Sequence, residues 1–361
     1  IAEKDRATVD VFIGDRGTHP GSAIAAAGGT ILREYRNFPI VYVTIPVAAR
    51  QELGRSPEIL YVADNVSRHF CADEEAAQVL DWGVDRIDAE VVHAAGNKGV
   101  GVNVAILDTG GDKDHPDLDF AGGYSTVTDD PTDWDDINGH GTHCSGIVSA
   151  NDNTIGVIGV APDCNLYMVR ISKSGPFGDD TILPGLDWVL GTHLDADPDN
   201  DIRIVSMSWG GTYSSAAEEA ALQACYDHGM LLVAAAGNEE GDIIYPARLP
   251  IVMAITASTA DDVAAWFTNF GPEAELMAPG RLIYSTYKNG QYRSLSGTSM
   301  SCPMVAGSAA VAWAAHPDFT RDEIRQLLRD TAEDIGLPFE YQGYGLVDAE
   351  RAALGTTTGD D

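Results

Sequence analysis

The sequence predicts a three-layer α/β domain, a parallel sheet with helices on both faces, preceded by a small α+β domain. Three observations carry this. Five short strands, Val102–Leu107, Leu166–Ile171, Ile202–Met207, Met230–Ala236 and Val252–Ala257, are apolar on both faces, as the strands of a covered parallel sheet are. Helical patterns alternate with them over His140–Ala150, Thr181–Leu190, Ser215–His228, Met300–Ala315 and Arg321–Asp330. Finally, charge divides the chain. Residues 1–71 hold as many basic as acidic residues, so the net charge of −33 lies wholly in the remainder.

Taken in order, the neutral segment reads as a strand (Ala7–Ile13), a helix (Pro20–Ala27), two strands (Thr30–Tyr35 and Ile40–Ile45), a helix (Pro46–Leu53) and a strand (Ile59–Ala63). This βαββαβ order suits a ferredoxin-like sandwich. An irregular stretch, Asp64–Asp81, follows as a linker, and the polar tail Gly355–Asp361 frays. The expected domains are therefore 1–71 and 72–354, with a tail over 355–361.

Composition excludes several functions. With 22 basic against 55 acidic residues, the surface repels nucleic acid. No run of eighteen apolar residues offers a membrane span. The acidic residues are spread rather than blocked, and lysine is reduced to Lys4, Lys98, Lys113, Lys173 and Lys288. Such a surface is self-repelling at low salt and screened at molar salt, so it reads as adaptation to high salt. A calcium-rich extracellular coat is the rival reading. Ile1 opens a polar segment without a signal-peptide core: either the protein stays inside the cell or a signal has been removed. The five cysteines (Cys71, Cys144, Cys164, Cys225 and Cys302) form no metal-type pair and leave one or two disulfides open.

Four polar residues fall where such a sheet places its ligands, beyond the carboxyl ends of the strands. Asp108 ends one strand, His140 opens a helix, Asn238 follows another strand, and Ser299 stands at the start of the apolar helix after Gly297-Thr298. Each has an ordinary reading as a turn or cap residue. His140 and His143 would also suit a metal, but no third ligand has a usual spacing. Together the four meet the needs of acyl transfer, namely nucleophile, base, base-orienter and oxyanion donor.

The motifs Ile106-Leu107-Asp108-Thr109-Gly110, His115-Pro116-Asp117-Leu118, His140-Gly141-Thr142-His143, Ala236-Gly237-Asn238 and Gly297-Thr298-Ser299-Met300 with Pro303 resemble those of subtilisin-type serine proteases (subtilases). The resemblance runs from Gln78 to about Leu354, and the acidic composition with Cys144 points to the halolysin branch. It implies a subtilisin-like fold in which Ser299 attacks, His140 acts as base, Asp108 orients it and Asn238 completes the oxyanion hole. Substrate polypeptide would lie along Ser208, Trp209, Gly210 and Gly211 on one side and Ala236 and Gly237 on the other. The segment Glu239–Tyr245 is shorter than in familiar bacterial members, which unsettles specificity at the first subsite. The resemblance also implies Ca²⁺ held by Gln78, Asp117 and Asn153 with the carbonyls of Asn151, Ile155 and Val157. The acidic stretch Asp129–Asp136 is either a second calcium site or a solvated loop. Cys144 and Cys302 read as small buried apolar residues.

Residues 1–71 resemble the family's propeptide, an intramolecular chaperone and inhibitor whose tail, Tyr61–Phe70, would thread the site until cleaved near Phe70–Glu75. The enzyme so implied is a secreted, extracellular, monomeric endopeptidase made as a zymogen. A catalytically silent calcium-dependent binding module and an intracellular maturation protease are the alternatives.

Overall fold

A computed structural model describes residues 8–15, 20–34, 39–64 and 78–355. The chain divides into two compact units, 1–74 and 75–361. Most of the expected linker, the tail from residue 356, Cys71 and the expected cleavage region lie outside the described residues.

In the first unit, strands β1 (Thr8–Asp15), β2 (Thr30–Glu34), β3 (Ile40–Pro46) and β4 (Ile59–Asp64) form an antiparallel sheet in the order β2-β3-β1-β4. Strand β3 alternates strictly, with Val41, Val43 and Ile45 inward. They pack with Val11 and Ile13 against Ile24 of α1 (Gly21–Ala26) and Leu53 of α2 (Arg50–Leu53). One buried face with period two is what a sheet covered on one side requires.

The second unit opens with helices α3 (Trp82–Arg86) and α4 (Ala89–Ala94). Its sheet contains β5 (Asn103–Asp108), β6 (Phe120–Ser125), β7 (Asn165–Arg170), β8 (Ile204–Met207), β9 (Leu231–Ala235), β10 (Val252–Ser258) and β11 (Ala274–Pro279). All neighbours pair parallel, in the order β11-β10-β9-β8-β5-β7-β6. Strand β5 shows why these segments look uniformly apolar. Val104 and Ile106 join one core, while Ala105 and Leu107 join the other. On the first face lie α5 (His140–Ser149), α8 (Thr298–Ala315), α9 (Arg321–Thr331) and α11 (Ala349–Leu354), α10 (Phe339–Gln342) being a short turn at β11. On the second lie α6 (Asp179–Leu194) and α7 (Ala216–Asp227). Helix α8 is buried almost all round, as expected for a helix apolar on every face.

Two strands of this sheet escaped the sequence reading. Strand β6 carries two glycines, and β11 carries a carboxylate, Glu275, buried against Arg325 Nε (2.7 Å) and Arg329 Nε (2.9 Å). Outside that sheet a hairpin joins β12 (Ile283–Tyr287) to β13 (Gln291–Leu295). Asn289 and Gly290 both have left-handed φ there, the geometry that joins two twisted strands tightly.

The chain leaves β5 towards β6 and β7 on one side and later crosses to β8 on the other. The topological switch point thus lies beyond the carboxyl end of β5, where crevices form in open α/β sheets.

Candidate active site

Asp108 is the last residue of β5, and the Thr109 N–H donates to its Oδ1 at 2.7 Å. Its side chain is 3% exposed, that of His140 30%. His140 Nδ1 lies 2.8 Å and 3.0 Å from the two Asp108 oxygens, so the imidazole proton on this side faces a carboxylate. Burial opposes protonation of His140, yet Asp108 holds its pKa well above that of an ordinary histidine.

His140 can start a helix here because Asp136 receives the free N–H groups of the first turn. Its Oδ1 accepts from the N–H of Asn138 (2.8 Å) and Gly139 (2.9 Å) and from Thr109 Oγ1 (3.1 Å). Its Oδ2 accepts from Thr142 N–H (3.0 Å) and Thr142 Oγ1 (2.6 Å). Thr109 Oγ1 in turn accepts from Gly141 N–H at 2.9 Å, tying helix to strand. Gly141 permits that approach, since a Cβ there would sit 2.2 Å from the Gly110 carbonyl. His143 serves another element. Burial lowers its pKa to about 4, and its Nε2 donates to the carbonyls of Ile283 and Arg293 in the hairpin.

Ser299 sits in the first turn of α8. Pro303, four residues on, has no N–H, so the Ser299 carbonyl loses its helical partner. Ser208 Oγ, just beyond β8, donates to that carbonyl at 2.8 Å and Cys144 Sγ at 3.4 Å. In return Ser299 Oγ donates to the Ser208 carbonyl at 3.1 Å. The proline inside the helix therefore knits Ser299 to the end of β8 and to α5. Cys144 is a buried thiol whose pKa burial raises, a weak donor rather than a nucleophile.

Asn238 is exposed, and its amide orientation is set from behind. Its Oδ1 accepts from Thr298 N–H (2.8 Å) and lies 3.1 Å from Thr298 Oγ1, which leaves Nδ2 to face outward. The same hydroxyl accepts from Gly237 N–H at 3.1 Å.

Trp209 and Gly210 make no backbone hydrogen bond among the described residues, whereas Gly211 pairs with Tyr245 in both directions (2.8 and 2.9 Å). A Cβ on Gly210 would meet the Tyr245 carbonyl at 2.4 Å. Ala236 donates to Ile255 and accepts from Ile244, and the Gly237 carbonyl accepts from Asn269. These two residues can wall a pocket, but their backbone groups are already paired.

The residues named for calcium converge. Gln78 Nε2 lies 2.5 Å from the Asn151 carbonyl and 2.9 Å from that of Val157. Asn153 Nδ2 meets Asp117 Oδ1 at 2.7 Å, and the other Asp117 oxygen accepts Val157 N–H at 2.9 Å. The Ile155 N–H donates to Asn153 Oδ1 in the same turn. Both amide oxygens accept backbone N–H groups, Asn153 N–H to Gln78 Oε1 at 3.2 Å and Ile155 N–H to Asn153 Oδ1 at 2.7 Å. A hard cation would therefore turn both amides and release those bonds to gather their oxygens with the fully buried Asp117 carboxylate and the two carbonyls.

The acidic stretch Asp129–Asp136 assembles no comparable set. Asp130 accepts from Thr132, Asp133 lies 3.4 Å from Arg170 Nη1, Asp135 accepts from Lys113 N–H, and Asp136 is the buried hub under His140. Nor do the open disulfides form: Cys144, Cys164, Cys225 and Cys302 are all free and buried. Sequence reading missed Asp136, Thr298 and the role of Pro303. The signals for all three, an acid before Asn138-Gly139-His140 and the Thr-Ser-…-Pro spacing, lay within motifs already in view.

Comparison with known proteins agrees with this geometry. The model of the Subtilase family matches residues 99–345. The chain is 37% identical over 324 residues to a thermostable alkaline protease of Halalkalibacterium halodurans, covering 89% of this chain and 85% of that protein. It is 34% identical over 336 residues to subtilisin NAT of Bacillus subtilis subsp. natto, covering 91% and 84%. An alkaline protease of Shouchella clausii is 37% identical over 324 residues, 89% and 81%. On a family match across most of the second unit and these identities across nearly the whole length, the chain belongs to the Subtilase family.

Proposed function

We propose that the protein is a serine endopeptidase that works through an acyl-enzyme, with Ser299 as nucleophile. The observation that carries this is the buried Asp108 carboxylate on His140 Nδ1, with Cys144 Sγ between that imidazole (3.9 Å) and the carbonyl of Ser299 (3.4 Å), whose helix start also fixes the amide of Asn238. In the resting state Ser299 Oγ rests on the Ser208 carbonyl. Catalysis requires the hydroxyl to turn to His140 Nε2, which takes its proton as Oγ adds to the scissile carbonyl. Asp108 keeps the other imidazole proton on Nδ1 and stabilises the imidazolium. The oxyanion gains Asn238 Nδ2 and the Ser299 N–H, at a helix N-terminus whose dipole favours negative charge. Collapse releases the amine with a proton from His140. Water, deprotonated by the same imidazole, then cleaves the ester and restores Ser299.

Substrate polypeptide pairs with Trp209 and Gly210, whose backbone groups have no backbone partner among the described residues, while Ala236 and Gly237 line the first side-chain pocket. Calcium bound by Gln78, Asp117 and Asn153 with the carbonyls of Asn151, Ile155 and Val157 cross-links the start of the second unit to the 151–157 loop. The neutral first unit acts as a cleavable inhibitor and folding aid, and the enzyme is secreted as a monomer. Its net charge of −33 suits molar salt and the halolysin branch.

Incubating the purified chain and sequencing any new N-terminus tests the zymogen reading. Cleavage between residues 70 and 75 in the wild type, with an intact Ser299→Ala chain, is the expected result. A fully active chain that stays uncut refutes the propeptide role, and equal processing of the Ser299→Ala chain refutes self-cleavage.

A further inference from the structure

Beside the proposed substrate path is a cavity of about 300 Å³, bounded by the segment before α6, the first turns of α6 and α7, and Trp209–Gly211. Phe177, Trp209, Tyr213 and Tyr245 supply aromatic walls, with Phe177 and Trp209 edge to face at 5.8 Å. Two carboxylates, Asp179 and Glu218, complete the lining, and no basic residue takes part in it. Glu218 is 6% exposed and belongs to no ion pair among the described residues. Burial, and after it the neighbouring Asp179, push its carboxyl up, while the Ser214 hydroxyl and Ser215 N–H pull it down. A nearly buried carboxylate beside a second one, walled by aromatic rings and without a counter-charge among the described residues, is the chemistry that receives a cation.

We propose that this cavity binds a basic side chain, Arg or Lys, of the substrate polypeptide, three or four residues on the acyl side counting from the scissile bond. This rests on the peptidase reading above. Ser208 is bonded to Ser299 in both directions and marks the level of the scissile bond. A substrate strand running along Ser208–Gly211 advances about 3.3 Å per residue, which brings its third or fourth side chain to the Trp209–Gly211 wall. A chain carrying −33 attracts any cationic peptide, so the test must separate the pocket from the general field.

The experiment starts from the full-length chain and uses it after self-processing, at an ionic strength of about 1 M, where screening shortens to about 3 Å. Fluorogenic peptides place Arg, Lys, norleucine, Phe or Glu at each of the second to fifth acyl-side positions in turn. The ratio of kcat/KM for Arg over norleucine is the readout, because active enzyme concentration cancels from it. We expect that ratio to reach about tenfold or more at the third or fourth position and to stay near one elsewhere, with Glu the poorest there. It should fall to within about threefold in Glu218→Gln and decline in Asp179→Asn. A preference spread over all positions, norleucine or Phe matching Arg at the pocket position, or a ratio unchanged in both variants would overturn the proposal. If no peptide is cleaved and a fluorophosphonate fails to label Ser299, the peptidase reading falls, and this inference with it.

Discussion

Replacing Asp136 with Asn changes one atom of a residue that touches no substrate, yet it should disturb the helix that presents His140. In the wild type Asp136 Oδ1 serves the N–H groups of Asn138 and Gly139 and Thr109 Oγ1, while Oδ2 serves Thr142 N–H and Oγ1. An Asn amide keeps one oxygen. If that oxygen stays with Asn138 and Gly139, its NH₂ faces the Thr142 N–H, donor against donor. The hydroxyl of Thr142 can turn to accept, but the buried N–H cannot, and an unpaired buried N–H costs about 1–3 kcal/mol. Loss of the negative charge from the helix start adds about 0.3–1 kcal/mol. The total of about 1.3–4 kcal/mol corresponds to a fall in Tm of roughly 3–16 °C for a large domain, at about 2–4 °C per kcal/mol. Thermal and urea unfolding in a Ser299→Ala background, where self-digestion is impossible, would measure it. In the active background kcat should drop about tenfold or more with KM within about twofold, because the damage is to His140 alignment rather than to peptide binding. A stability change under about 0.5 kcal/mol, the range of an ordinary surface substitution, would refute the hub role of Asp136.

Asn238→Ala should reduce kcat by about 10²–10³ with little change in KM, a range taken from the oxyanion-hole amide of this same family rather than worked from this chain; an unchanged kcat removes Asn238 from the oxyanion hole. With the neutral imidazole proposed as the base and Asp108 raising the His140 pKa, the acid limb of kcat/KM should lie above the ordinary histidine value of about 6.5. The same pair contributes stability that is fully present below the unfolded pKa and disappears as pH rises through the raised folded one. Asp108→Asn should therefore destabilise more at pH 6 than at pH 9, and equal losses at both would contradict the assignment. Calcium at about one hundred times its Kd should stabilise the wild type by about 2.7 kcal/mol. A Tm that rises equally with calcium in wild type and Asp117→Ala would place the ion elsewhere.

Much of this was legible in the sequence because the relevant signals are local. Strands β5 and β9 and helix α8 announce themselves as apolar runs, with Asp108 ending β5, Asn238 following β9 and Ser299 in the first turn of α8, while His140 opens α5. What was not legible depends on partners distant in the chain. Strand β11 reads poorly because Glu275 looks like a surface residue until Arg325 and Arg329 of α9 reach it. Asp136 looked like one more acid of a solvated or calcium-binding loop, since only the folded turn shows five donors aimed at it. Pro303 in a helix reads as a fault. Its meaning appears when Ser208 and Cys144 take the carbonyl it leaves unpaired.

The proposed chemistry rests on Ser299 as a nucleophile activated by His140 and Asp108. Treating the self-processed protein with a fluorophosphonate and mapping the modified peptide by mass spectrometry tests it most directly. One adduct on Ser299 is expected, formed with loss of all peptidase activity, absent from Ser299→Ala and formed far more slowly in His140→Ala. An adduct on another residue, or full peptide hydrolysis by the Ser299→Ala chain, would contradict the account.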